Sequence, residues 1–354
     1  MARFPEPIRH PAPIVRPSDV RAGRWASRLA AVTCVVTLEC MLTGAVLQRT
    51  AALPRLQGGT NPLAGKRLYV DPNSTARREA ETLRRSRPQD AALLSQIADQ
   101  PVARWLGGWV GDIGREVDAA VSTITGTGSL PVFVAYNIPG RDCGQYSAGG
   151  ANGGDAYRRW MGSFASGLHG RPALVVLEPD ALAGIDCLNA SGQQQRLELL
   201  REAVQVLKGE HAHVYIDAGN ARWKSADVMA GRLRQAGIAE ADGFSLNVSN
   251  YIDNAVNIAF GERLSRLLGG KHFIIDTSRN GLGSTREWCN ARGQALGVAP
   301  TTRTGHPLVD AFLWIKQPGE SDGTCQGGPK AGSWWGDIAL ELSKAAATLT
   351  RTGR

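Results

Sequence analysis

The sequence predicts an α/β protein built as one parallel β/α barrel. Two observations carry the prediction. From Leu68 onward, short apolar runs rich in β-formers alternate with amphipathic helical stretches. The runs are almost continuously apolar, as expected for parallel strands covered by helices on the outside. Seven such units in about 290 residues fit a single barrel. A doubly wound sheet is the alternative, but no G-x-G-x-x-G or G-x-x-x-x-G-K-[ST] follows the first run, so nucleotide binding has no support.

The predicted strands are Leu68–Val70, Pro131–Tyr136, Leu174–Glu178, His213–Asp217, Gly243–Asn247, His272–Asp276 and Ala311–Ile315. Between them, Ala156–Leu168, Gln193–Leu207, Ser225–Gln235 and Ala255–Leu268 read as amphipathic helices, with Ser191 as N-cap of the second. Nearly every strand run ends in chemically able residues. Arg141-Asp142 follow the second, Glu178-Pro179-Asp180 the third, and Asp217 ends the fourth. Asn247 and Asn250, then Asp276 with Arg279-Asn280, and finally Lys316, Glu320 and Asp322 complete the series. In a β/α barrel the C-terminal strand ends converge on one face, where active sites are built. A lone aspartate after a strand is more often a helix cap; a ring of acids is expected to be a site. Pro179 stops the third strand, holding Asp180 at the mouth, where partial burial should raise its pKa as a general acid requires.

Several function classes are set aside by composition. The net charge of +8 is unevenly spread: residues 1–55 carry eight Arg and three acids, and the remaining 32 basic and 29 acidic residues nearly balance. No Lys/Arg cluster interleaved with stacking aromatics follows, so nucleic-acid binding is not expected. The six His (10, 169, 211, 213, 272 and 306) show no metal-ligand spacing. Eight of the nine Trp lie in the barrel region; Trp105, Trp109, Trp223, Trp288 and Trp335 fall in or near predicted loops with Tyr136 and Tyr251, while Trp160 and Trp314 read as core. Loop tryptophans beside a ring of carboxyls point to glycoside hydrolysis by two carboxyl groups, since sugar rings stack on indoles.

Residues 1–55 read as a basic tail leading into an apolar segment, Leu29–Leu47, flanked by Arg28 and Arg49: an export signal or a membrane anchor. Glu39 in mid-segment favours transient passage. Residues 56–350 are assigned to one catalytic domain. Cys143, Cys187, Cys289 and Cys325 have no C-x-x-C spacing and suggest two disulfides in an exported domain, with three connectivities open.

Specific runs then resemble glycoside hydrolase family 6. They are Val134-Ala135-Tyr136-Asn137-Ile138-Pro139-Gly140-Arg141-Asp142-Cys143-Gly144 and Leu177-Glu178-Pro179-Asp180, with Ile216-Asp217-Ala218-Gly219, Asn247-Val248-Ser249-Asn250-Tyr251, Ile275-Asp276-Thr277-Ser278-Arg279-Asn280-Gly281 and Trp314-Ile315-Lys316-Gln317-Pro318-Gly319-Glu320-Ser321-Asp322-Gly323. The resemblance implies an α/β fold with a distorted, seven-stranded, TIM-like parallel β/α barrel as a single domain. It also implies inverting hydrolysis of β-1,4-glucans without a cofactor. By resemblance Asp180 is the general acid, Asp142 raises its pKa and organises the attacking water, and Asp322 is the base, directly or through a water chain. Tyr136 presses on the ring in the cleavage subsite. Lys316, Glu320, Asn220 and Asn250 contact sugar hydroxyls, and Trp105, Trp223 and Trp288 stack on sugar rings. The implied disulfides are Cys143–Cys187 and Cys289–Cys325. Two departures stand out: Asn220 where many relatives have His, and Ala148 where a serine often holds the water, with Ser147 adjacent. Only Thr324 separates Gly323 from Cys325, and Ala181–Asn189 is short, so an open groove and endo action are expected of a monomer. The alternatives are a cellobiohydrolase and a non-catalytic glucan-binding surface protein.

Overall fold

The computed structural model describes residues 60–283 and 285–352. The basic tail and the Leu29–Leu47 segment lie outside them. No helix among the described residues is long and apolar enough to cross a membrane.

Seven parallel strands form one sheet in sequence order: β1 (Arg104–Leu106), β2 (Val132–Ala135), β3 (Leu174–Leu177), β4 (His213–Asp217), β5 (Gly243–Leu246), β6 (His272–Asp276) and β7 (Val309–Leu313). The edges of the curled sheet meet at a single parallel bridge, Val102 to Trp314, reinforced by Trp105 Nε1 donating to Ile315 O at 2.8 Å. The barrel is therefore closed at one point and distorted, as expected. Helices α1 (Thr75–Leu83), α2 (Pro88–Ala98), α3 (Ile113–Gly126), α4 (Gly154–Leu168), α5 (Ala190–Gly209), α6 (Ala226–Gln235), α7 (Asn254–Leu267) and α8 (Gly336–Thr352) surround it.

Strand parity divides the core in two. Val134, Leu174, Val176, Tyr215, Ile274, Ala311 and Leu313 meet in the barrel interior. Their neighbours Phe133, Ala135, Val175, Leu177, Val214, Ile216, Phe273 and Ile275 pack outward against the helices. The alternation is the ordinary two-residue repeat of a strand. It was hidden in the sequence because both faces are buried and both are apolar.

Three readings need correction. Leu68–Val70 is not a strand; Leu68 makes one isolated bridge to Leu130, and the first strand is Arg104–Leu106. The last strand is Val309–Leu313, earlier than Ala311–Ile315: its pairing with β6 ends at Asp276–Leu313, and the next amides, Ile315 N and Lys316 N, turn to the Asp276 carboxylate. Helix α5 starts earlier than read: Asn189, not Ser191, is its N-cap, its side chain accepting from Gly192 N at 2.9 Å.

Candidate active site

The C-terminal strand ends open into a cleft of about 1440 Å³. Asp142, Asp180 and Asp322 line it, together with Tyr136, Trp105, Trp223, Asn220, Asn250, Trp288, Lys316 and Glu320. All the substrate-facing residues predicted from sequence thus share one concavity, although Trp105 lies in β1 and not in a loop. Trp109, Trp223 and Trp288 are 58%, 41% and 46% exposed, leaving indole surface free for ligand. Trp335 is turned away, under Arg292, and Tyr251 is buried beneath Arg279, so neither lines the cleft.

The ring of strand-end acids divides into two sets. Asp217 and Asp276 occupy inward-facing positions at the ends of β4 and β6, Glu178 directly follows β3, and all three are fully buried. Each is spent on backbone amides. Glu178 accepts from Asn137 N and Ile138 N at 2.9–3.0 Å. Asp217 accepts from Asp180 N and Gly219 N at 3.0 Å and from Ser245 Oγ at 3.1 Å. Asp276 accepts from Ser249 N, Ser278 N and Lys316 N. These acids are latches that fix the loops. Asp142, Asp180 and Asp322 lie beyond the strands and face the cleft.

Asp180 sits in a turn where Glu178 (φ 50°) and Asp180 (φ 69°) both take left-handed backbone around Pro179. Such residues cost on the order of 1–3 kcal/mol each and persist where the surroundings over-determine them. Here Asp217 grips the Asp180 amide. Burial first, and then the negative charges of Asp217, Asp142 and Asp322, push the Asp180 pKa well above the usual carboxylate range. Asp142 also has positive φ, and its Oδ2 accepts from Ser147 N at 2.7 Å. Burial raises its pKa, opposed by that amide and by Arg141. Asp322 is the opposite case. Arg279 Nη1 donates to it at 2.9 Å, Lys316 Nζ lies at 3.5 Å, and Asn290 N donates at 2.9 Å. Burial alone would raise its pKa, but the Arg279 and Lys316 charges outweigh that and hold it below the usual range. The cleft thus pairs a carboxyl whose pKa is pushed up with one whose pKa is held down.

The two strand-end arginines, Arg141 and Arg279, hold the site loops. Arg141 donates Nη1 to Tyr136 O and Nε to Ser147 O, and its guanidinium lies 4.6 Å from the Tyr136 ring, clamping the Asp142 loop. Trp105 meets the same ring edge-on at 5.1 Å. Arg279 holds Asp322 and donates to Ser249 O. The disulfides Cys143–Cys187 and Cys289–Cys325 are both formed. The first ties the Asp142 loop to the segment after Asp180, and the second flanks Asp322. Tyr146 packs on Gly323, where an added Cβ would lie 2.5 Å from the ring, so the loops of Asp142 and Asp322 also touch. Asn220 lies in the cleft wall with its Oδ1 held by Arg222 N; Ala148 offers no hydroxyl, and the neighbouring Ser147 amide serves Asp142.

Burial raises the Glu178 pKa to about 7, despite its three amide contacts, and the Asp217 pKa to about 6. Raised folded-state pKa values favour the protonated, folded form. Their stabilisation is complete below the ordinary values of 3.8 for Asp217 and 4.5 for Glu178 and is lost as pH rises through about 6 and 7, Glu178 alone accounting for on the order of 3 kcal/mol. The melting temperature should therefore fall between pH 5 and 8, and Glu178→Gln should flatten part of that slope. An unchanged slope in differential scanning calorimetry contradicts the assignment.

A protein-family model for the glycosyl hydrolases family 6 matches residues 63–346. Endoglucanase A of Cellulomonas fimi is 47% identical over 284 residues, covering 79% of this chain and 61% of that protein. Endoglucanase 1 of Streptomyces halstedii is 43% identical over 288 residues, covering 78% of this chain and 88% of that protein. Among solved structures, the endoglucanase Cel6 from Mycobacterium tuberculosis, in complex with a thio-linked methyl cellobiosyl cellobioside, superposes with a TM-score of 0.77. It is 44% identical and covers 81% of this chain and 99% of that one. The chain spans about three fifths of the length of the first of these relatives.

Proposed function

The chain belongs to glycosyl hydrolase family 6, and from that membership and the carboxyl geometry we propose that it hydrolyses internal β-1,4-glucosidic bonds of cellulose-type glucans with inversion. The carrying observation is the division of labour in the cleft: Asp180 is buried facing Asp217, Asp142 and Asp322, which pushes its pKa up, while Asp322 is paired with Arg279 at 2.9 Å and Lys316 at 3.5 Å, which holds its pKa down. Asp180 gives its proton to the glycosidic oxygen as the C–O bond breaks. A water attacks the anomeric carbon from the opposite face, and its proton leaves toward Asp322. Because Asp322 is weakly basic, that proton is best passed through solvent as the bond forms. Asp142 faces Asp180, where its negative charge holds the acid's pKa up, and it orients the water. Tyr136, fixed between Trp105 and Arg141, meets the ring at the cleavage point. Lys316, Glu320, Asn220 and Asn250 supply polar contacts, and Trp105, Trp223 and Trp288 stack on sugars.

Endo action is supported by the short segments around Cys187 and between Gly323 and Cys325, and by the relatives named endoglucanases. The two disulfides suit an exported protein. On carboxymethylcellulose, viscosity should collapse well before reducing ends accumulate. Proportional change in the two would favour a cellobiohydrolase, and binding without hydrolysis would favour a glucan-binding protein.

A further inference from the structure

Arg196 lies on α5, is 3% exposed, and does not line the cleft. Its Nη2 donates to Pro139 O at 2.7 Å and to Gly140 O at 3.0 Å, and its Nη1 to Ala181 O at 3.5 Å. No carboxylate pairs with it among the described residues, and its buried Nε has no partner among them. Burial lowers its pKa, with only the nearby charge of Glu178 in opposition. Burying a cation without an ion-pair partner is costly. Stability alone therefore does not explain an arginine at this position.

Its three acceptors do. Pro139 and Gly140 are the two residues before Arg141-Asp142, and Ala181 is the residue after Asp180. One planar guanidinium thus bridges the roots of the two loops that carry these acids. Gly140 takes φ +64°, a left-handed backbone that glycine adopts without strain. We infer that Arg196 is a positioning residue that sets the placement of Asp142 relative to Asp180. The inference rests on the proposal that these two aspartates work together on a glucan.

Arg196→Met should lower kcat roughly 10- to 100-fold, the scale of a misplacement near 1 Å, and leave KM within about twofold because the stacking sites are untouched. The groups facing Asp180 are Asp217 from β4, Asp142 from the loop after β2, Asp322 from the loop after β7, and Tyr136. Only Asp142 is expected to move, so the alkaline limb of the kcat profile should shift to lower pH. Arg196→Lys keeps a cation that reaches fewer carbonyls, and should recover part of the rate and of the limb. If the Met variant does not fold, the Lys variant carries the same test, with an intermediate kcat and a smaller shift expected. A lowered melting temperature with unchanged kcat and an unmoved limb would mean a purely structural arginine and overturn the inference. Wild-type protein inactive on every glucan would instead defeat the proposed function. The inference is then decided by crystal structures of the wild-type and Arg196→Lys proteins: an Asp142 carboxylate displaced relative to Asp180 supports it, and superposable carboxylates overturn it.

Discussion

Asp180→Asn is expected to reduce kcat on β-glucan by on the order of 10³-fold, within the usual span for loss of a general acid. Asparagine is the informative replacement. It matches aspartate in shape and tolerates the left-handed backbone at this position better than alanine does. The amide grip of Asp217 should survive, leaving KM nearly unchanged. An aryl cellobioside whose phenol leaves as a stable anion does not need the proton. The variant should therefore hydrolyse such a substrate far closer to the wild-type rate. Equal losses on both substrates would mean that Asp180 has another role, such as holding the loop.

Asp322 should produce the second large effect, for a different reason. Arg279 and Lys316 are buried with it and depend on its charge. Asp322→Ala strands both cations, and breaking a buried pair by removing one partner costs about 3–5 kcal/mol. The melting temperature should fall by several degrees and activity should be abolished. Asp322→Asn keeps the acceptor for Asn290 N but removes the negative charge. It should recover part of the stability and little of the rate. A calorimetric scan beside a rate measurement separates the two losses. Full activity in a folded Asn variant would remove Asp322 from the proton path.

Much of this architecture could be read from residues. The β/α alternation and the convergence of strand-end acids depend on local patterns that burial does not disguise. Arg104–Leu106 escaped because it is short, carries an arginine and a tryptophan, and runs into Gly107-Gly108. Leu68–Val70 looked like a strand because three apolar or aromatic residues have no local way of declaring that they lack a neighbour. The acids were harder. In one dimension Asp217 and Asp276 resemble Asp180, and only the inward parity of β4 and β6 shows that they are bonded to backbone amides. Glu178 could be read as support for the acid, but its partners, the Asn137 and Ile138 amides, belong to the Asp142 loop. Arg279 was legible as a strand-end residue but not as the partner of Asp322, and Arg196 was not legible at all: arginine in an amphipathic helix reads as solvated, and only tertiary packing shows that it is buried.

The central claim is that a protonated Asp180 and an ionised Asp322 act on opposite faces of the sugar, with water attacking in one step. The most direct test is ¹H NMR of a cello-oligosaccharide digest recorded within the first minutes, before mutarotation mixes the anomers. The α-anomer should appear first at the newly formed reducing end. Initial accumulation of the β-anomer would require a covalent glycosyl-enzyme and would contradict the account.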